Sequence, residues 1–398
     1  MASASDLTTV AYIYEKMYAD GLGDAAMREH PLFYEIAKVP KFFGESFRYA
    51  VRYGNTQGIS GDFPTAQAGA KASKGLQFEA FRQPKYGVIT LKGEAIAASE
   101  GNKGALIDLV TNETDSIINE MVDALAFDLY RDKSGNRGKR LSLAGNIVTL
   151  TVADDARNFK VDMTVIASVN ADGSAPRAGS TTVAGIDEDN GTVTLTNAGA
   201  ITAFANSDFL FRAGDPGTCM EGLEVCTPLT APGGGDSFRT KDRSVDPSRL
   251  AGSRVNDTST NIEENAGLVA VKINQRGKRA KRLYLNPINF WQVARRLNAK
   301  VEYSGGGGNA DYGFETMAVH TPAGVLKCIS DPDCPTTRGR VVNPADQYLR
   351  HLRDLPHIVM DDGKASLRQT ADDGIEARGR AWVNLIQVIT SSQGVFAI

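Results

Sequence analysis

The feature that most constrains this chain is a helical stripe over residues 102–132. Leu106, Val110, Ile117, Met121, Leu125 and Leu129 recur at three- and four-residue spacing, flanked by Ile107, Ile118 and Val122. At 1.5 Å per residue such a helix is roughly 45 Å long, more than most small domains contain. It stops at the polar, Gly-rich run over residues 134–139. A second feature lies just before this helix. Residues 76–82 and 86–91 read as two strands around Gln83-Pro84-Lys85, carrying Phe78, Phe81 and Tyr86. Glycines bound this ribbon, at Gly54, Gly58, Gly61, Gly69 and Gly75, and it has no core of its own. An isolated hairpin is marginal in water, so it must pack elsewhere, on its own domain or as an arm on a neighbouring subunit. Periodicity leaves those two options even.

Upstream, residues 6–20 read as a short amphipathic helix with Asp6 as N-cap. Phe42 and Phe43 follow, then a strand over residues 46–53 with Phe47, Tyr49, Val51 and Tyr53 on one face.

Downstream of the long helix the period changes from helix to strand. Residues 147–152, 163–169, 181–186, 192–196 and 208–211 read as strands, with Asn190-Gly191 a strong hairpin signal. This points to a small all-β module over about residues 141–214. Its acidic turn fails as a calcium loop, because counting back from Gly191 places Ile186 at the first ligand position. Beyond the glycine tract at residues 233–235 the pattern mixes again. Helices are expected over residues 262–273, 287–297 and 344–352, and strands over residues 282–286, 317–320, 325–329 and 340–342. The segment 377–390 reads as a strand that is apolar on both faces. The fold class is α+β.

Composition narrows the function. Of 398 residues 40 are glycine, above the usual ~7%, which implies many turns and long loops. The net charge of −3 argues against coating nucleic acid by phosphate neutralisation. Residues 1–40 carry three basic and six acidic side chains, so there is no basic arm. The first ten residues lack a signal-peptide pattern, and no apolar run approaches membrane-spanning length. Cys219, Cys226, Cys328 and Cys334 have neither zinc nor redox spacing and read as buried free thiols. The sequence contains no nucleophile elbow, zinc-protease motif or complete phosphate loop: Gly138-Lys139 is followed by Arg140 where Ser or Thr is needed. The glycine run at residues 305–308 and the pairs Asp361-Asp362 and Asp372-Asp373 read as loop and solvated turns. No catalytic residue, cofactor or metal site is expected. One charge cluster stands out: Arg276, Lys278, Arg279, Lys281, Arg282, Arg295, Arg296 and Lys300, with no acidic residue between positions 274 and 300. It suits nucleic-acid contact or, with better odds, a solvated face with inter-subunit ion pairs; Phe290 and Trp291 beside it are expected in the helix core.

The order of elements carries a resemblance. An N-terminal arm, a long glycine-hinged ribbon, a long helix, a β module, a mixed α/β region and a returning strand follow one another. Leu283-Tyr284-Leu285-Asn286-Pro287 leads into a helix, and Gly313-Phe314-Glu315, Gly324-Val325-Leu326-Lys327 and Asp331-Pro332-Asp333-Cys334-Pro335 follow. In this the chain resembles the major capsid proteins of tailed double-stranded-DNA bacteriophages, the Hong Kong 97 fold. That resemblance implies an N-terminal arm over residues 1–53, an extended loop over 54–97 and a peripheral domain with its spine helix over 98–140. An inserted β module follows over 141–218, the peripheral domain and connector continue over 219–260, an axial domain spans 261–346, and 347–398 return to the peripheral domain.

The function so implied is self-assembly into the icosahedral shell of a virion, built in the host cytoplasm and not enzymatic. Implied partners are copies of the chain in pentamers and hexamers, a separate scaffolding protein, a portal protein, decoration proteins and packaged DNA bound without sequence preference; no membrane is implied. The candidate inter-subunit anchors are Phe42, Phe43, Phe78, Phe81 and Tyr86, each with core packing as the competing role. Lys71, Lys74, Lys85 and Lys92 lie in or near the loop, but no motif marks a cross-link partner. The alternative function is a secreted or surface β-rich ligand-binding protein, with the β module as its binding domain.

Overall fold

The computed structural model describes residues 29–94, 103–296, 316–359, 367–368 and 373–398, with side chains omitted for 103–112, 316 and 367–368. The proposed helix at residues 6–20, the glycine run at 305–308, Lys300, Asp361, Asp362 and Asp372 lie outside the described residues.

The long helix forms over Lys103–Tyr130. Its last three turns are buried, with Met121, Leu125 and Leu129 facing the core. They rest on a pair of strands, Gln83–Lys92 and Gly374–Gln387, joined in antiparallel register from Lys92 opposite Gly374 to Gln83 opposite Val383. Two glycines face each other where the helix crosses. A Cβ on Gly87 would lie 2.7 Å from Ile117, and one on Gly379 would lie 2.5 Å from Met121 Sδ. The absence of side chains there lets the helix seat on the sheet. Gln347–His351 also pairs with Gly374–Gln387, and Ala37–Val39 adds a parallel strand outside it.

A second, six-stranded sheet runs in the order Ser253–Val255, Gly394–Ala397, Arg338–Val342, Arg282–Leu285, Gly324–Ser330, Thr316–Thr321. Helices Ile262–Asn274 and Pro287–Arg296 contribute Val269, Ile273 and Val293 to a core shared with Leu283, Leu285 and Phe396. Between the long helix and this sheet the chain forms a closed six-stranded barrel from Asn136–Ala144 to Phe209–Arg212. Its interior is filled by Val148, Leu150, Phe159, Val165, Val183, Val193, Leu195 and Leu210. Closure leaves no unpaired sheet edge.

Four expectations are corrected. Residues 76–82 and 86–91 do not form a hairpin with each other. Lys74–Phe81 pairs with Ser46–Gly54, whereas Gln83–Lys92 joins the first sheet. Gln83-Pro84-Lys85 is a strand start, where proline's missing N–H matters least. From Asn136 onward the polar run is part of the first barrel strand, Asn136–Ala144; its charges are absorbed because Arg137 reaches the Asn158 carbonyl at 2.8 Å. Residues 344–352 are not a helix. Pro344–Asp346 makes a single 3-10 turn and Gln347–His351 is a strand, since ladder pairing with Gly374–Gln387 outweighs local helix spacing. Finally, the chain's last segment divides between the two sheets rather than completing one, because Gly394–Ala397 pairs with Ser253–Val255 and Arg338–Val342.

Candidate inter-subunit surface

The ribbon made by Ser46–Gly54 and Lys74–Phe81 is a two-stranded sheet with a tied base and an open tip. At the base, alternation sends Val51 and Phe78 into the core. An aromatic ladder runs from Phe42 through Phe47, Tyr49 and Phe78 to Phe238, with ring centroids 5.6–6.2 Å apart. Arg239 fastens it, donating to the Tyr49 hydroxyl at 2.7 Å, the Leu385 carbonyl at 2.6 Å and Glu221 at 2.8 Å. Burial of the Tyr49 phenol pushes its pKa up to about 12, against the pull of Arg239.

The tip is built differently. Asp62 caps the short helix Phe63–Ala68 by accepting from the Thr65 amide at 3.1 Å and its hydroxyl at 2.6 Å. Gln57 and Lys71 bridge the two sides. No residue of this helix is buried, and the tip presents Ile59 at 95% and Phe63 at 77% exposure. The tip thus holds two large apolar side chains far out on an ordered support, which makes it a candidate surface.

The anchors proposed from sequence separate accordingly. Phe42 and Phe78 are fully packed inside this chain and have no surface to give a neighbour. Phe43 (69% exposed), Phe81 and Tyr86 remain on the outside. Ile59 and Phe63 were missed, although a glycine-flanked Ile and Phe in an otherwise polar loop were a readable signal.

Of the lysines near the ribbon, Lys85 is internal. Its Nζ lies 3.1 Å from Asp128 and 3.0 Å from Asp215, at the junction of the first sheet, long helix and barrel exit. Burial opposes its charge, but Asp128, Cys219 and Asp215 outweigh that and hold its pKa above the ordinary lysine value. Burial pushes the Asp128 carboxyl upward. All four cysteines are buried free thiols.

The basic cluster is partly tied down. Arg276 donates to Ser253 at 2.5 Å, Arg282 pairs with Glu35 at 2.7 Å and Arg296 approaches Glu263 at 3.8 Å. Arg295 sits 5.0 Å from the Trp291 ring centre. Trp291 is 58% exposed rather than in the helix core, because Asn289 and Val293 take the inward positions. Arg279 and Lys281 are exposed and Lys278 is half-buried. Among the described residues, no group of three or more His, Cys, Asp or Glu is placed to hold a metal, and no helix is long and apolar enough to cross a membrane.

No protein-family profile and no curated protein sequence matches the chain. Solved structures do. The cyanophage A-1(L) capsid asymmetric unit covers 95% of this chain and 95% of its own at 11% identity, with a TM-score of 0.54. The capsid of an empty GTA particle (9% identity, 95% of this chain and 99% of its own, TM-score 0.46) and Mycobacterium phage Ogopogo (9%, 99% and 99%, 0.46) are also similar. At these identities the likeness speaks for the fold. The chain has the fold of a phage capsid subunit along nearly its whole length.

Proposed function

We propose that this chain is a non-enzymatic, structural major capsid protein of the Hong Kong 97 type, assembling into the icosahedral shell around the double-stranded DNA of a tailed phage. The end-to-end likeness to the cyanophage capsid subunit carries this reading. In it, Ser46–Phe81 is the extended loop, Lys103–Tyr130 the spine helix of the peripheral domain, and the second sheet the core of the axial domain that meets its copies in pentamers and hexamers. The barrel is a module added to that plan. The ribbon tip supplies the principal contact, with Ile59 and Phe63 as anchors and Phe43, Phe81 and Tyr86 as a second patch. Obligate interfaces are apolar at their centres, which suits these side chains. Arg279 and Lys281 face either a neighbouring subunit or packaged DNA. Scaffolding, portal and decoration proteins are the partners such a shell uses, and the virion is its location.

The test is assembly of the full chain, followed by sedimentation velocity and electron microscopy. Closed megadalton particles are expected from the unmodified chain with its scaffold, and a stable monomer under all such conditions overturns the reading. Ile59→Asp with Phe63→Asp leaves a folded, soluble subunit that closes no shells. Normal particles from that variant remove the tip from the interface.

A further inference from the structure

Residues 30–36 cross the molecule between the long helix and the second sheet, and the side chains of His30 and Glu35 and the Leu32 amide reach those parts. His30, 1% exposed, holds Asp123 of the long helix at 2.7 Å through Nε2 and Asp333 of the 331–335 turn at 2.6 Å through Nδ1. The Leu32 amide donates to Asp331 at 3.0 Å, and the Tyr130 hydroxyl at the end of the long helix donates to the same oxygen at 2.8 Å. Glu35 accepts from Arg282 at 2.7 Å and from the Tyr284 hydroxyl, both on the second sheet. Leu32, Phe33 and Ile36 lie in the apolar core between these contacts.

The geometry fixes the protonation state. A neutral imidazole donates through one nitrogen and accepts through the other, but a carboxylate can only accept. Two carboxylates on the two nitrogens therefore require the imidazolium. We propose that His30 is a proton-held pin, which fastens the long helix to the second sheet as an imidazolium and lets residues 30–36 lift when the proton leaves.

The surrounding charges agree in sign. Asp123 also meets Lys160, which reaches Glu120, and Glu120 meets Arg212. On the turn side Asp331 lies beside Asp333, Arg157 and Arg137 line the same recess as Asp123 and Asp333, and Tyr34 of the same segment stands 6.4 Å from the His30 ring. Burial opposes the His30 charge, but its hydrogen bonds to Asp123 and Asp333 outweigh this and raise its pKa to about 9 from 6.5. Burial, with the Asp333 charge adding, pushes Asp331 up to about 7 from 3.8. A group whose pKa rises on folding stabilises the fold fully below its unfolded value and loses that contribution as pH climbs through the folded one. The His30 contribution is thus complete below about 6.5 and lost through about 9. That of Asp331 is complete below about 3.8 and lost through about 7. Both make the pin tight in acid and loose in alkali.

The inference concerns the single chain and stands independently of shell assembly. Hydrogen exchange of the peptide covering residues 29–36 in the full chain, corrected for intrinsic rates, tests it between pH 6 and 10. Protection is expected to fall progressively from about pH 6.5 to about pH 9, by about tenfold or more in all, and to level off above that. Asp123→Asn keeps an acceptor but removes one charge, and moves the fall to lower pH. Protection unchanged to pH 10, or a fall at the same pH in Asp123→Asn, overturns the proposal. A reading without any substitution comes from ring-nitrogen NMR of histidine-labelled chain at pH 7.5. A doubly protonated ring assigned to His30 is expected, and a neutral His30 ring overturns the proposal.

Discussion

The barrel and the ribbon are both antiparallel β structure, yet they solve the edge problem in opposite ways. The barrel pairs its last strand with its first, Phe211 opposite Asn136, so every edge is consumed and a private core fills the inside. The ribbon has two strands, an edge on each side and no interior. Its base borrows the core of the first sheet through Val51 and Phe78, and its tip borrows nothing from its own chain. The barrel is therefore self-sufficient, whereas the ribbon is stable only as far as something else covers it. Under the proposed function, the second arrangement keeps apolar surface available for another copy.

The largest expected effect is all-or-none. A fragment of residues 134–214 folds alone with a cooperative thermal transition, while one of residues 46–81 gives the circular dichroism of an unfolded peptide. A non-cooperative barrel fragment breaks the comparison. Next, Phe159→Ala and Phe78→Ala each cost about 3–5 kcal/mol, as buried aromatic truncations do. Hydrogen exchange separates them: the first loosens only the barrel, and the second loosens ribbon base and first sheet together. Glycine substitutions give a smaller contrast. Gly179, at φ +93 with a Cβ position 1.9 Å from the Ala200 carbonyl oxygen, loses on the order of 1–3 kcal/mol as Gly179→Ala. Gly61 at the ribbon tip has nothing within 4 Å of that position, so Gly61→Ala stays within about 0.5 kcal/mol in a chemical denaturation curve. Smallest of all, Ile59→Ser shifts the melting of the isolated subunit by no more than measurement scatter, since its side chain is already in water.

Local pattern revealed most of what local forces decide. The long helix, the helices at Ile262–Asn274 and Pro287–Arg296 and the Asn190-Gly191 hairpin all stand where periodicity and turn chemistry put them. What stayed hidden was pairing at a distance. Nothing near Gln83 reveals that its strand continues along residue 383, and nothing near Gln347 reveals that the same strand will outweigh helical spacing. The first barrel strand was masked by Arg137, Lys139 and Arg140, charges that read as solvent-facing until Phe127, Phe209 and Phe204 are brought against them. At the candidate surface, sequence named aromatic residues by type and had no means to sort inward from outward. Phe78 and Phe81 lie three positions apart in one strand and so on opposite faces, one packed and one half-exposed.

The placement of Gly374–Gln387 and Gly394–Ala397 has a consequence in time. The first of these strands runs through one sheet and the second lies inside the other, so neither sheet can be finished until residues 374–397 have left the ribosome. At roughly 5–20 residues per second, the barrel has many seconds in which to fold while the rest of the nascent chain waits. The surface that would join subunits is thus withheld through most of synthesis, and neighbouring polysome chains emerge with their sheets still open rather than as premature, partly formed partners.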